Sequence, residues 1–410
     1  MQDHIINTNC ESEVSISRYE PPAPAAQVWD RPSYLLPMPV ITGVETIIAI
    51  LVEIDNASYN TITIPAIAGN YIVDWGDSVV ENYASGTSAS HSYSFAAISQ
   101  ATETPQGYRQ ALISITPQAG SDLTSFASIT TAHRIFYSAL DIVASGPNLV
   151  FNNITSRKLL HVKLLCKVNG IFKGIVNANN ITEGNTAIVA IELDFNSFSN
   201  RADLFQMFQA CVELKYVSPF ATTGITNFSN IFNNCWSIVD IPNINFNNAT
   251  NLNSAFTNCY ELQSIPTIAL SSPCSISSSF NNCFSLAKIN MSGQVTYSIP
   301  SQQFSQTHSL NEIPALDFST ITINGVVFGG VNLKRFLPTG MTRTFTIGDG
   351  TVSAAYPNSL GRQELVEVFN NLGTANSGAT LTIKGSVGVG DLTNNDKLIA
   401  TNKGWTLILV

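Results

Sequence analysis

Seven cysteines, five histidines and 28 carboxylates are the groups in this 410-residue chain that could ligate a metal or carry a reaction. Four of the cysteines, Cys211, Cys235, Cys259 and Cys283, stand 24 residues apart, while Cys10, Cys166 and Cys274 fall outside that series. Zinc sites need close pairs of ligands, so this is not a zinc pattern; an odd count with one regular series reads as buried, reduced, structural thiol. The histidines, His4, His91, His133, His161 and His308, are scattered and form no HExxH pair. No G-x-S-x-G elbow, Walker loop or dinucleotide fingerprint occurs. Asp74 and Asp77 sit in a turn-forming stretch, where carboxylates cap backbone N–H groups, and a calcium site would need more converging oxygens than the local sequence offers. Glu192 and Asp194 are not expected to act as an acid pair. A glycosidase could draw its two carboxylates from distant turns of a solenoid, but acids are few here and that reading ranks last. The chain is therefore read as having no catalytic residues, no cofactor and no metal.

The cysteine series belongs to a larger repeat. Phe208, Phe232, Phe256, Phe280 and Phe304 recur at the same 24-residue period, as do Leu214, Ile238, Leu262, Leu286 and Leu310. Val217, Ile241, Ile265, Ile289 and Ile313 complete a unit F-x-x-C-x-x-L-x-x-I, often followed by proline, as in FNNCWSIVDIP, FTNCYELQSIP and FSQTHSLNEIP. The last has Thr307 in the cysteine's place, and a degenerate copy follows at Phe328, Val331 and Leu337-Pro338. One such unit cannot bury its apolar residues alone; stacked units form one core, with Phe over Phe and Cys over Cys. The F-x-x-C segment is expected to form one or two helical turns and L-x-x-I a short strand. Asn234, Asn258 and Asn282 are expected to form a ladder that bonds backbone between turns. DLTSFASIT, KLLHVKLLCKV and AIVAIELDF look like diverged earlier turns.

The stretch FSNIFNNCWSIVDIPNINFNNATNLNSAFTNCYELQSIP resembles the BspA-like and DUF285-type leucine-rich repeats of bacterial surface proteins and phage proteins. That resemblance covers roughly half the chain, clearest from 200 to 340. It implies a solenoid used for adhesion or virion architecture, without catalysis. Residues 44–118 have strand periodicity instead. There, Asp74-Trp75-Gly76-Asp77 followed by His91-Ser92-Tyr93 resembles a PKD-type β-sandwich. The resemblance implies a WGD turn between strands and a spacer or interaction role.

The ends are read separately. The first 40 residues carry Pro21, Pro22, Pro24, Pro32, Pro37 and Pro39, which favour extended chain. Trp29, Tyr34, Leu35 and Leu36 in that arm either anchor it across a partner protein or pack it as a strap on the chain's own sandwich. After 340, GRQELVEVFNNLG has helical spacing and the remainder reads as a small α/β cap over the last repeat. The residues after Cys235, Cys259 and Cys283 are aromatic, Trp236, Tyr260 and Phe284, and His308 follows Thr307 in the next copy. Facing water, this stripe would dock a sugar or a protein; facing inward it is a core ladder, and its helical spacing from the repeat Phe favours the core.

Composition narrows the function. Only 11% of residues are charged and the formal net charge is −9, so no basic stripe exists for nucleic acid or for an anionic membrane surface. The N-terminus lacks the basic and apolar regions of a secretory leader, and no apolar run is long enough to span a membrane. The expected architecture is multidomain and β-rich: an arm (1–40), a PKD-like β-sandwich (41–118), a leucine-rich-repeat solenoid (119–340) and a C-terminal cap (341–410). The expected function is that of a phage virion structural protein, a tail fibre, baseplate appendage or capsid-attached fibre, assembled in the host cytoplasm. Its expected partners are other virion proteins through the arm, further copies of itself, and a host-surface glycan or protein. A bacterial cell-surface adhesin is the alternative.

Overall fold

A computed structural model gives the fold. It describes residues 29–56, 60–127, 138–152, 156, 158–172, 174–176, 182–184, 187–199, 201–297, 302–304, 306–328, 333–348 and 359–410. The protein is β-rich, with two α-helices among the described residues and a β-solenoid of about ten turns over residues 125–409.

The first strands are β1 (Ile47–Ile54), β2 (Thr61–Ile64), β3 (Ile67–Ala68), β4 (Tyr71–Asp74), β5 (Val80–Tyr83), β6 (Ala89–Ser92) and β7 (Arg109–Pro117). The next are β8 (Ser125–Phe126), β9 (Ala139–Phe151), β10 (His161–Val168), β11 (Gly174–Val176), β12 (Thr182–Gly184), β13 (Ala190–Leu193) and β14 (Tyr216–Val217). One sheet runs in the order β14-β13-β10-β9-β1-β7-β4-β5, so it crosses the sequence border near residue 118 without a break. β1 pairs antiparallel with both β7 and β9, whereas β9, β10, β13 and β14 pair parallel. The first solenoid strand therefore has its edge covered by β1, which caps the solenoid at that end.

β1 reads IIAILVEI, a run without alternation, and such a strand must be covered on both faces. Ile48, Ile50 and Val52 enter the main core, while Leu51 on the other face packs with Leu35 and Leu140. Segments KLLHVKLLCKV and AIVAIELDF supply β10 and β13, and DLTSFASIT supplies β8, which pairs parallel with β9.

The regular repeats follow. Strands β15 (Ile268–Ala269), β16 (Cys274–Ser275), β17 (Met291–Thr296), β18 (Gln302–Gln303), β19 (Glu312–Asp317), β20 (Val326–Phe328), β21 (Arg335–Thr339) and β22 (Phe345–Ile347) stack in parallel, ladder on ladder. Of the L-x-x-I positions, Val217 and Ile313 lie in strands, as expected, but Ile241, Ile265 and Ile289 lie outside any strand, beside an isolated bridge between Asp240 and Ser264. After β22 come α1 (Arg362–Asn371), β23 (Thr380–Ile383), α2 (Asn394–Thr401) and β24 (Thr406–Leu409). β23 and β24 extend the same parallel ladder as β20 and β22, so this α/β end continues the solenoid, with helices in place of tight turns.

The F-x-x-C segments are not helical. Asn230, Asn234, Ser254, Asn258, Ser278 and Asn282 all have left-handed backbone, with φ between 53° and 62°. A helix cannot tolerate two such residues four apart, and Asn adopts this region more readily than most residues. The result is a chain of tight turns whose N–H groups alternate in direction. Those of Phe228, Asn230, Phe232 and Asn234 donate to carbonyls of Asn251, Asn253, Ala255 and Thr257 in the next turn. Those of Ile231, Asn233 and Cys235 close local turns instead.

Columns of identical side chains lock the turns. Phe172, Phe208, Phe232, Phe256, Phe280, Phe304 and Phe328 stack with centroids 5.2–6.5 Å apart. Each repeat thiol donates to the carbonyl of the previous turn's Phe: Cys211 Sγ to Phe172, Cys235 to Phe208, Cys259 to Phe232 and Cys283 to Phe256, at 2.9–3.1 Å. Thr307 Oγ1 donates to Phe280 O at 2.8 Å, which explains why threonine can replace cysteine there. Burial raises the Cys235 and Cys259 thiols well above the usual value and pushes Cys283 up to about 12. The six described cysteines are buried thiols, and Cys10 lies outside the described residues. The asparagine ladder exists, but it bonds side chain to side chain: Asn258 Nδ2 donates to Asn234 Oδ1 and Asn282 Nδ2 to Asn258 Oδ1, each at 2.6 Å.

Candidate functional site: the aromatic ridge and the N-terminal strap

Trp236, Tyr260, Phe284 and His308 form one stack along the solenoid. Their centroids are 5.9, 5.0 and 5.3 Å apart and their planes lie within 26° of parallel. All four are half-buried, so the column is neither a core ladder nor a free surface. The left-handed residue two positions earlier turns the chain so that cysteine points inward and the next residue lies at the rim. Both faces of Tyr260 and Phe284 are covered by neighbouring rings, which leaves their edges to solvent. Sugar stacking uses ring faces, so the middle of this ridge suits edge-on protein contact better than a pyranose. The buried Trp236 Nε1 has no hydrogen-bond partner among the described residues.

The arm residues meet the chain's own sheet. Leu35 is buried with Leu51 and Leu140, and Leu36 packs against that cluster. Leu36 N donates to Gln110 Oε1 at 2.9 Å, and Gln110 Nε2 donates to Tyr34 O at 2.8 Å. Tyr34 keeps an exposed ring. Trp29 lies flat on His161, centroids 4.4 Å apart and planes 12° apart. Arg31 donates to Leu35 O and Leu36 O, shaping the strap, and its Nε reaches Asp141 Oδ2 at 3.1 Å. Of the two readings of the arm, residues 29–36 take that of the strap.

Under the strap is a charged cluster that sequence inspection missed. His161 Nδ1 is 2.8 Å from Asp141 Oδ1, and its Nε2 is 3.1 Å from Glu192 Oε1. Lys163 Nζ holds the other Glu192 oxygen at 2.9 Å. Asp141, His161 and Glu192 come from three adjacent strands, and their spacing along the chain carries no regular signal; only the parallel register brings them together. Asp194 turns elsewhere and accepts from Asn196 N at 2.8 Å.

The WGD stretch is a satisfied turn. Gly76 N donates to Asp74 Oδ1 at 3.0 Å, Val79 N to Asp77 Oδ1 at 3.2 Å, and Trp75 N to Val79 O at 3.0 Å. Trp75 is fully buried, its Nε1 donating to Glu81 at 2.9 Å, while Tyr93 OH donates to Trp75 O at 2.7 Å. His91 stacks on Trp75 and meets Asp77 at 2.7 Å. Gly76 has φ 78°, and a Cβ there would lie 2.5 Å from Leu112 O, so no other residue fits. The hydrogen bonds from Tyr83 and Trp75 hold the Glu81 carboxyl below its usual range.

His4 and His133 lie outside the described residues. Among the described residues no three His, Cys, Asp or Glu side chains gather as for a metal ion, and no helix is long and apolar enough to cross a membrane. Compared with family models, curated proteins and solved structures, the chain matches none.

Proposed function

We propose that this chain is a non-catalytic structural component of a phage virion: a tail fibre, baseplate appendage or capsid-attached fibre that serves particle assembly and host-surface attachment. The observation that carries this reading is the continuous run of about ten solenoid turns, keyed turn to turn by buried Phe and Cys columns and joined through one sheet to the N-terminal strands. Such a unit is stiff along its axis, because each turn is held by its neighbours, and a stiff spacer is what an appendage needs. The repeats are assigned to the BspA-like leucine-rich type and residues 44–118 to the PKD-like type, on the motifs quoted above. The half-buried aromatic ridge supports docking of another protein, either a further copy or a virion or host-surface component.

Immunogold labelling of purified particles, with antibody to residues 120–340, tests this, together with mass spectrometry of the same particles. Gold on the tail supports attachment and gold over the capsid supports a head-attached fibre. No label, with no peptide from particles, overturns the virion reading and leaves a bacterial surface adhesin in its place.

A further inference from the structure

A row of charges crosses the regular repeats beside the aromatic ridge. Lys215, next to Tyr216, begins it, and Asp240, Ser264, Lys288 and Glu312 follow at steps of 24 residues. Glu261 N donates to Trp236 O, Ser285 N to Tyr260 O, Gln263 N to Val239 O and Ala287 N to Gln263 O, so ridge and row share one face of the stacked turns. Lys215, Ser264 and Lys288 are exposed, and Asp240 and Glu312 are half-buried. Among the described residues no salt bridge engages Lys215, Asp240 or Lys288. Asp240 accepts from Ser264 Oγ at 2.7 Å. Glu312 lies 3.5 Å from Arg335, whose closer partner is Glu367 at 2.7 Å.

Along the solenoid axis the signs run plus, minus, neutral, plus, minus. Turned end for end, the row reads minus, plus, neutral, minus, plus, so it is its own complement about the Ser264 turn. Consider a two-fold axis lying between two antiparallel copies and crossing them at that turn. It sets Asp240 against the second copy's Lys288, and Lys215 against the second copy's Glu312, each pair twice. The same operation lays Trp236 by the second copy's Phe284 and Tyr260 by its own twin, so the open ring edges of the ridge meet. A parallel arrangement would set like charge on like charge at all four charged steps, and the row disfavours it. One group opposes the antiparallel pairing: Glu261 is exposed and meets its twin at the axis.

We propose that this face joins two copies of the chain, antiparallel, about the Ser264 turn. The inference rests on the docking role given to the ridge above and fixes its partner as a second copy; it is read in solution, so its failure leaves the labelling of particles to decide the virion reading separately. Lys215, Asp240 and Lys288 gain opposite charges without giving up any inside the chain, and the pattern of signs sets orientation and register.

Sedimentation velocity of the full chain, at tens of micromolar and low salt, tests the pairing. The expected result is a dimer that weakens as salt is raised. Asp240→Lys and Lys288→Asp should each raise the dimer dissociation constant at least about ten-fold, because the two-fold makes every change act twice. Combining the two reversals should return it to near the wild-type value. A wild-type chain that stays monomeric, or a dimer that the single reversals leave unchanged, would overturn the proposal. So would a folded double variant that fails to recover association. Should circular dichroism show that a reversal does not fold, Glu261→Gln decides, since it removes the repulsion at the axis: a tighter dimer supports the pairing, and an unchanged or weaker one overturns it.

Discussion

The turn around Trp75 and the turn around Cys235 are both tight and both use left-handed backbone, at Gly76 and Asn234, but they satisfy their polar groups in opposite directions. At Trp75 every partner is local: Glu81, His91 and Tyr93 lie within 18 residues. At Cys235 the N–H closes a local turn and Asn234 Nδ2 meets Asn233, but the thiol reaches 27 residues back and Asn234 Oδ1 accepts from a residue 24 positions on. A local turn depends on a few particular residues and fails as a unit. A column depends on each residue's match to its neighbours, so a change that keeps the donor or the backbone region is absorbed.

The largest expected effect is at the local turn. Trp75→Ala removes a fully buried indole that also anchors Glu81 and His91, and should cost about 3–5 kcal/mol, read as a lower urea midpoint. A loss below about 1 kcal/mol would mean that the turn does not depend on its centre. The columns should separate shape from donor. Cys259→Thr keeps a donor for Phe232 O and should stay within about 1 kcal/mol of wild type, while Cys259→Val should cost about 1–3 kcal/mol more. Equal stability of the two variants would show that the thiol bond contributes nothing. The smallest effect should come from the asparagine ladder. Asn258→Gly keeps the left-handed backbone and loses only two half-buried amide bonds, about 1 kcal/mol in all, and Asn258→Ala should cost about 1 kcal/mol beyond that. The reverse order would mean that the ladder, not the backbone, selects Asn.

The same contrast governs what could be read in the sequence. The period was legible because columns repeat identity: Phe, Cys and the rim aromatics all recur at 24. The conformation of the repeat was not, because F-x-x-C spacing fits a helix as well as a turn, and only Asn234, Asn258 and Asn282, each before a cysteine, hint at left-handed backbone. Phe172 was hidden by an insertion: it stands 36 residues before Phe208, with the hairpin of β11 and β12 in between. The Trp75 turn was legible because all its parts are near in sequence. The Asp141–His161–Glu192 cluster was not, since strand register alone assembles it. β1 carried an unread clue, for an unalternating strand needs cover on both faces, and the strap supplies it.

The central claim is that residues 24 apart are stacked neighbours, and a disulfide at the rim tests it most directly. Tyr260 and Phe284 stack at 5.0 Å, and neighbouring turns of a parallel ladder stand about 4.8 Å apart, inside the Cα range of about 4.4–6.8 Å that a disulfide spans. The double variant Tyr260→Cys with Phe284→Cys should close a 260–284 bridge on mild oxidation, seen by peptide mass spectrometry, with an unchanged circular dichroism spectrum. The native thiols should stay reduced, being buried, with Cys283 pushed up to about 12. Failure to bridge in a folded double variant, or bridging of either position to a native cysteine instead, would contradict the stacked-turn account.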